Sequence, residues 1–116
     1  MLARQEPART VVTRFVDAMN REDIDTLAEC LAFNCVIARY DDGVSEHVGA
    51  HSVVQALSQR FGMRPKAMLT VANRMMIGDV IAQLEHLNAG TRALDKRMAL
   101  YRLSLGRISR IDWIRE

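Results

Sequence analysis

The stretch Arg14–Leu31, RFVDAMNREDIDTLAECL, does most to limit what this chain can become. Its apolar residues recur at helical spacing, pause at a polar turn through Asn20 and Arg21, and resume behind Asp23, a residue type that favours helix N-caps. The pattern predicts two helices in tandem. The first runs from about Pro7 to Met19 and gathers Val11, Val12, Phe15, Val16 and Met19 on one face. The second gathers Ile24, Leu27, Ala28 and Leu31. A strand-like CVIARYDDG follows, with Asp41-Asp42-Gly43 as a hairpin turn signal. Gly49 then precedes a third helix over about residues 51 to 61. Ser52 and Gln55 have capping-box spacing there, and Val54, Leu57 and Phe61 are apolar. Gly62 reads as its C-terminal stop, and Pro65 discourages any continuation.

From Lys66 onward the period changes from helical to alternating. Gly78, Gly90 and Gly106 each separate two strand-like segments. Met68–Ile77, Met98–Leu103 and Ile108–Ile114 carry apolar residues on both parities. A sheet with one wet face alternates apolar and polar residues more cleanly. Helices on one face and a second subunit on the other account for the pattern. A homodimer through the open sheet face is therefore expected, with Met98, Leu100 and Met76 in the contact.

A chain of 116 residues suits one domain, residues 1–116, large enough to hold a core without staples. The net charge is +2, and the arginines are scattered among 14 acids rather than gathered into the basic stripe that nucleic acid requires. No apolar run approaches the roughly 20 residues of a membrane span. The start, MLARQEPAR, lacks the apolar core of a signal peptide. The expectation is a cytoplasmic protein with neither nucleic acid nor membrane as partner. Cys30 and Cys35 read as buried free thiols in a reducing compartment.

The order and spacing of these elements resemble the nuclear-transport-factor-2-like superfamily, in its SnoaL-like and ketosteroid-isomerase-like branch. The resemblance covers roughly residues 8 to 115. It rests on Phe15 and Ala18 in the first helix, Asp23-Ile24-Asp25 opening the second, Gly49 before the third, and Gly106-Arg107-Ile108 opening the last strand. It implies an α+β fold: a cone-shaped roll of three N-terminal helices packed on a strongly curved, mostly antiparallel sheet, with a pocket inside. It also puts Phe15, Arg39 and Ala99 where ketosteroid isomerase carries a tyrosine, a carboxylate base and a protonated aspartate. Phenylalanine donates no hydrogen bond, and arginine stays protonated and cannot act as a base. That mechanism is therefore rejected in this register; a shift of two residues would bring Asp41 to the base position.

The same resemblance implies which side chains face the pocket. Phe15, Met19 and Leu57 come from the helices and Ile37 and Arg39 from the first strand. Leu84, His86, Asn88, Ala99, Tyr101, Leu103, Ser109, Ile111 and Trp113 come from the later strands. An apolar pocket with a few polar groups suits a small molecule. If chemistry occurs there, the catalytic set is His86 as proton shuttle, Arg39 as anion clamp and Tyr101 as hydrogen-bond donor. Each has a plainer reading: Arg39 paired with Asp41, Asp42 or Glu46, His86 hydrogen-bonded in place, and Tyr101 as core. His47 and His51 with Glu46 have a metal-like spacing, but Gly49 interrupts the helix that would align them and no third ligand is evident. No metal and no cofactor is expected. Two functions stay open. One is a protein that binds a small, partly apolar molecule, anionic where Arg39 acts as its clamp, with isomerase-, cyclase- or dehydratase-type acid–base chemistry. The other is a non-catalytic dimeric module that binds a ligand or a protein.

Overall fold

A computed structural model describes residues 7–40, 45–63 and 68–115, with the side chains of Arg39, Tyr40, Ser45, Met63 and Arg115 left out of the description. Among these residues there are three helices and a six-stranded mixed sheet, an α+β arrangement. The order is α1 (Ala8–Arg21), α2 (Ile24–Cys30), β1 (Leu31–Tyr40), β2 (Ser45–Val48), α3 (Ala50–Met63), β3 (Met68–Ile77), β4 (Val80–Ala89), β5 (Arg92–Ser104) and β6 (Arg107–Arg115). Across the sheet the strands run β2-β1-β6-β5-β4-β3, with β1 and β6 parallel and every other pair antiparallel.

The helix boundaries differ from expectation for identifiable reasons. Helix α1 passes Asn20 and ends at Glu22, which adopts a left-handed φ of 55° and sends its N–H back to Met19. Asn20 does not make the turn, because its amide is bound to the backbone of Leu69. Asp23 caps α2 as expected: the N–H of Thr26 donates to its Oδ1 at 3.2 Å and the Thr26 hydroxyl to its Oδ2 at 2.7 Å. Those bonds hold the Asp23 carboxyl below its usual range. Helix α3 begins at Ala50, one residue after Gly49 at φ 95°, so Ser52 lies inside the first turn rather than at the cap. Gly62 is inside the helix, which continues to Met63. A glycine costs a helix only about 1 kcal/mol, which packing of the other residues offsets. The Asp41-Asp42-Gly43 turn and Pro65 lie outside the described residues.

The helices pack on one face of the sheet. Val11, Val12, Phe15, Leu27, Val53 and Leu57 interlock there with Ile37, Ile81, Ala99, Tyr101, Ile108, Ile111 and Trp113. Strand parity decides what joins this core, and from β3 to β6 three irregularities set the parity. Ala72 is an extra residue between the Val71–Glu85 and Asn73–Leu84 pairs. Leu94 is extra between Ala93, opposite Asn88, and Asp95, opposite Leu87. Ser109 is extra between Ile108, opposite Leu103, and Arg110, opposite Arg102. Each one-residue insertion moves the following side chains to the other face relative to the partner strand. No helix among the described residues is long and apolar enough to cross a membrane.

Candidate functional site

The extra residue at Leu94 builds the site. Were Leu94 paired in step with its neighbours, the Ala89–Arg92 pairing would continue so that Tyr101 stood opposite Val80, and Leu84, His86 and Asn88 would share its face. With Leu94 as an extra residue, Tyr101 stands opposite Ile81, Ala99 opposite Gln83 and Arg97 opposite Glu85. Gln83, Glu85, Arg97 and Tyr101 are all buried on the helix-facing side, at 0%, 1%, 5% and 0% exposure.

These side chains form one network. Arg97 Nε donates to Glu85 Oε1 at 3.1 Å, and Tyr101 donates from its hydroxyl to Glu85 Oε2. The Gln83 amide nitrogen donates to the same Oε2 at 2.8 Å. Arg74, itself half-buried in the otherwise exposed second half of β3, donates to the Gln83 amide oxygen at 2.7 Å. Arginine has donors only, so Arg74 fixes which end of the Gln83 amide faces Glu85. Every neighbour of Glu85 is then a donor, which suits a carboxylate. Burial first, and then the charge of Glu85, push the Tyr101 phenol well above its usual range, so it is held protonated as a donor.

Trp113 lies under this network. The Arg97 guanidinium sits 3.8 Å from its ring centroid, and that of Arg60 on α3 sits 5.8 Å away. Phe15 meets Tyr101 edge-on, with centroids 5.9 Å apart. Arg97 also lines a cleft together with Arg60 and Phe61 of α3, Met19 and Asn20 of α1, Glu22, Leu69 of β3 and Leu87 of β4. The cleft encloses about 30 Å³, and about 410 Å³ once its open mouth is counted. Its rim is tied by Asn20, which accepts from Leu69 N at 2.7 Å and donates to Leu69 O at 2.9 Å. The helix and the edge strand are thereby joined with both amide groups of Asn20 in use.

The residues expected at the site are distributed differently. Tyr101 is inside, but His86 stands opposite Lys96 on the outer face of β4, and Leu84 and Asn88 share that face. The register set by Leu94 puts them there, so His86 and Tyr101 do not converge. His86 Nε2 is buried with no hydrogen-bond partner among the described residues. Arg39 belongs to β1, and its side chain lies outside the described residues. Met19 lines the cleft, whereas Phe15, Leu57, Leu103, Ile111 and Trp113 are core. Ser109 is the extra residue of its own bulge and donates to Arg102 O at 3.0 Å, away from the pocket positions. Ala99 is fully buried on the inner face and brings no polar group. Cys30 and Cys35 are buried and not joined in a disulfide, and burial pushes the Cys35 thiol up to about 12.

Sequence reasoning missed Glu85, Arg97, Gln83, Arg74 and Arg60. The available signal was charge pairing. Once Tyr101 is placed inward, Arg97 at the same parity must meet an acid from β4, and Glu85 is the acid within reach if the connection carries one extra residue.

No family model and no curated protein matches the chain. Solved structures do. An NTF2-like protein of unknown function from Cytophaga hutchinsonii superposes with a TM-score of 0.80 at 16% identity, over 99% of this chain and 95% of that one. An LEH-like epoxide hydrolase from M. tuberculosis gives 0.78 at 20% identity, over 94% of this chain and 78% of that one. A protein with a ketosteroid isomerase-like fold from Catenulispora acidiphila, solved with trimethylamine, gives 0.76 at 13% identity, over 89% of this chain and 82% of that one. At such identities the common property is the architecture: this chain has the fold of NTF2-like proteins.

Proposed function

We propose that the chain binds a small, partly apolar molecule in the cleft, inside a cone formed by a curved sheet around the helices, and that the network behind Arg97 supplies acid–base chemistry. One observation carries the reading: Arg97, ion-paired with the buried Glu85 behind it, stands in the wall of a cleft that Met19, Phe61, Leu69 and Leu87 also line. A buried ion pair is a poor stabiliser, since apolar side chains of the same volume do as well or better. Its presence beside an open cleft favours a role toward a ligand.

Isomerase-, cyclase- and dehydratase-type reactions share two needs: a base for a proton and donors for the oxygen that gains charge. Arg97 in the cleft wall supplies donors, and Glu85 behind it supplies a carboxylate once a ligand draws away one of the donors that hold it. The fold's occurrence in an epoxide hydrolase is compatible with such chemistry. Deuterium uptake from D2O at the α-carbon of small ketones, followed by proton NMR, tests the base. The expected result is exchange by the native protein that falls at least about a hundredfold in Glu85→Gln. Equal exchange in the native protein and the variant would reject Glu85 as the base.

A second reading, a non-catalytic dimeric module, is favoured by the outer sheet face. Met75, Ile77, Met98 and Ile114 are 68%, 75%, 42% and 39% exposed there. We propose that a second copy covers them, with Leu100 beside Met98. Met76, opposite Ile81, has the inner parity and is not part of that face.

A further inference from the structure

We infer that the cleft takes a small organic carboxylate, an inference that rests on the cleft being the ligand site. The polar groups turned toward it decide the class. Arg97 uses Nε on Glu85 and lays one face on Trp113. Among the described residues its terminal nitrogens have no other hydrogen bond, and Arg97 lines the cleft. The anchor and the stacked ring fix the plane of the guanidinium before a ligand arrives, which lowers the entropy lost on binding. Arg60 brings a second guanidinium over the same indole.

Asn20 cannot read a ligand without giving up its bonds to Leu69. Among the described residues, the side chains of the inner cleft thus offer N–H donors, and the one carboxylate lining the cleft is that of the exposed Glu22 at the rim. A ligand head that is itself a donor, such as an amine, has no partner there. A carboxylate matches the planar fork with two acceptor oxygens. The enclosed 30 Å³ has room for about two waters, and so for two carboxylate oxygens. The apolar body would lie against Met19, Phe61, Leu69 and Leu87 toward the mouth.

Trp113 is the chain's single tryptophan and lies directly beneath Arg97, so its fluorescence reports the site. The full chain is titrated with hexanoate, hexanamide and hexylamine, which share a body and differ in the head. Hexanoate should bind at least about tenfold more tightly than hexanamide, hexylamine should not bind, and acetate should compete with hexanoate. Arg97→Lys keeps the charge and loses the fork, and should weaken hexanoate about tenfold while changing hexanamide little. The acetate competition needs no variant and stands if Arg97→Lys fails to fold. Hexanamide binding as tightly as hexanoate would overturn the carboxylate inference and leave the cleft a ligand site. No response to any of the three at millimolar concentration would overturn both.

Discussion

A carboxylate with almost no exposed surface needs donors for its oxygens, and Glu85 has them from Arg97, Gln83 and Tyr101. Taking the carboxylate away strands the Arg97 charge in the core, so Glu85→Ala should cost about 3–5 kcal/mol of stability. Glu85→Gln keeps an acceptor and should cost less; chemical denaturation measures both. Tyr101 sets an alkaline limit. Its folded pKa is raised above the ordinary 10.0, so its contribution is complete below that value and is lost as pH rises from there to the folded value. Stability of the native protein should fall with pH above about 10 more steeply than that of Tyr101→Phe. Equal slopes would contradict the assigned cause. At the β5–β6 turn, Leu105 is 81% exposed at a φ of 52°, beside Gly106 at 76°. A leucine is strained in that conformation and a glycine is not, so Leu105→Gly should raise the melting temperature, by about 0.5–1 kcal/mol of stability.

At the scale of helices and strands, the chain order was legible because period and punctuation are local properties. The cap at Asp23 and the glycine turns at Gly78, Gly90 and Gly106 were read from neighbouring residues. The face of β4 was not legible. The segment Val80–Ala89 carries polar groups on both parities: Gln83 and Glu85 on one, His86 and Asn88 on the other. Both registers therefore bury something polar, and the choice rests on Leu94 in the next strand. Nothing in the residue type of Leu94 marks an insertion. Arg60 was hidden for a related reason, since an arginine near the end of a helix ordinarily faces water, whereas this one is 8% exposed. Deleting Leu94 should leave Asn88 opposite Ala93 and Leu87 opposite Asp95 with no extra residue between them, so Glu85 stays opposite Arg97 and the variant should fold, as circular dichroism would show. Leu94→Ala should lower the melting temperature only slightly, because the side chain is 37% exposed. Asn20→Ala strands a backbone N–H and C=O at Leu69 and should cost about 1–3 kcal/mol. Hydrogen exchange should quicken at the Leu69 amide above all.

For the whole molecule, the sheet has two unlike faces. One closes on the helices and on Glu85; the other shows methionine, isoleucine and leucine around His86. A proposed dimer across that outer face would bury on the order of 1,200 Å² or more in total. Met98→Arg should give a monomer in sedimentation velocity at micromolar concentration while leaving hexanoate binding intact. A native protein that sediments as a monomer would end the dimer proposal. The same division between the faces underlies the proposed function, which assigns the site to Glu85 and Arg97 and not to His86. The most direct test is a paired titration of Glu85→Gln and His86→Ala with hexanoate, followed through Trp113 fluorescence. Binding should weaken about tenfold in Glu85→Gln, which loses the carboxylate that holds Arg97, and stay unchanged in His86→Ala. Binding lost in His86→Ala and kept in Glu85→Gln would contradict that assignment.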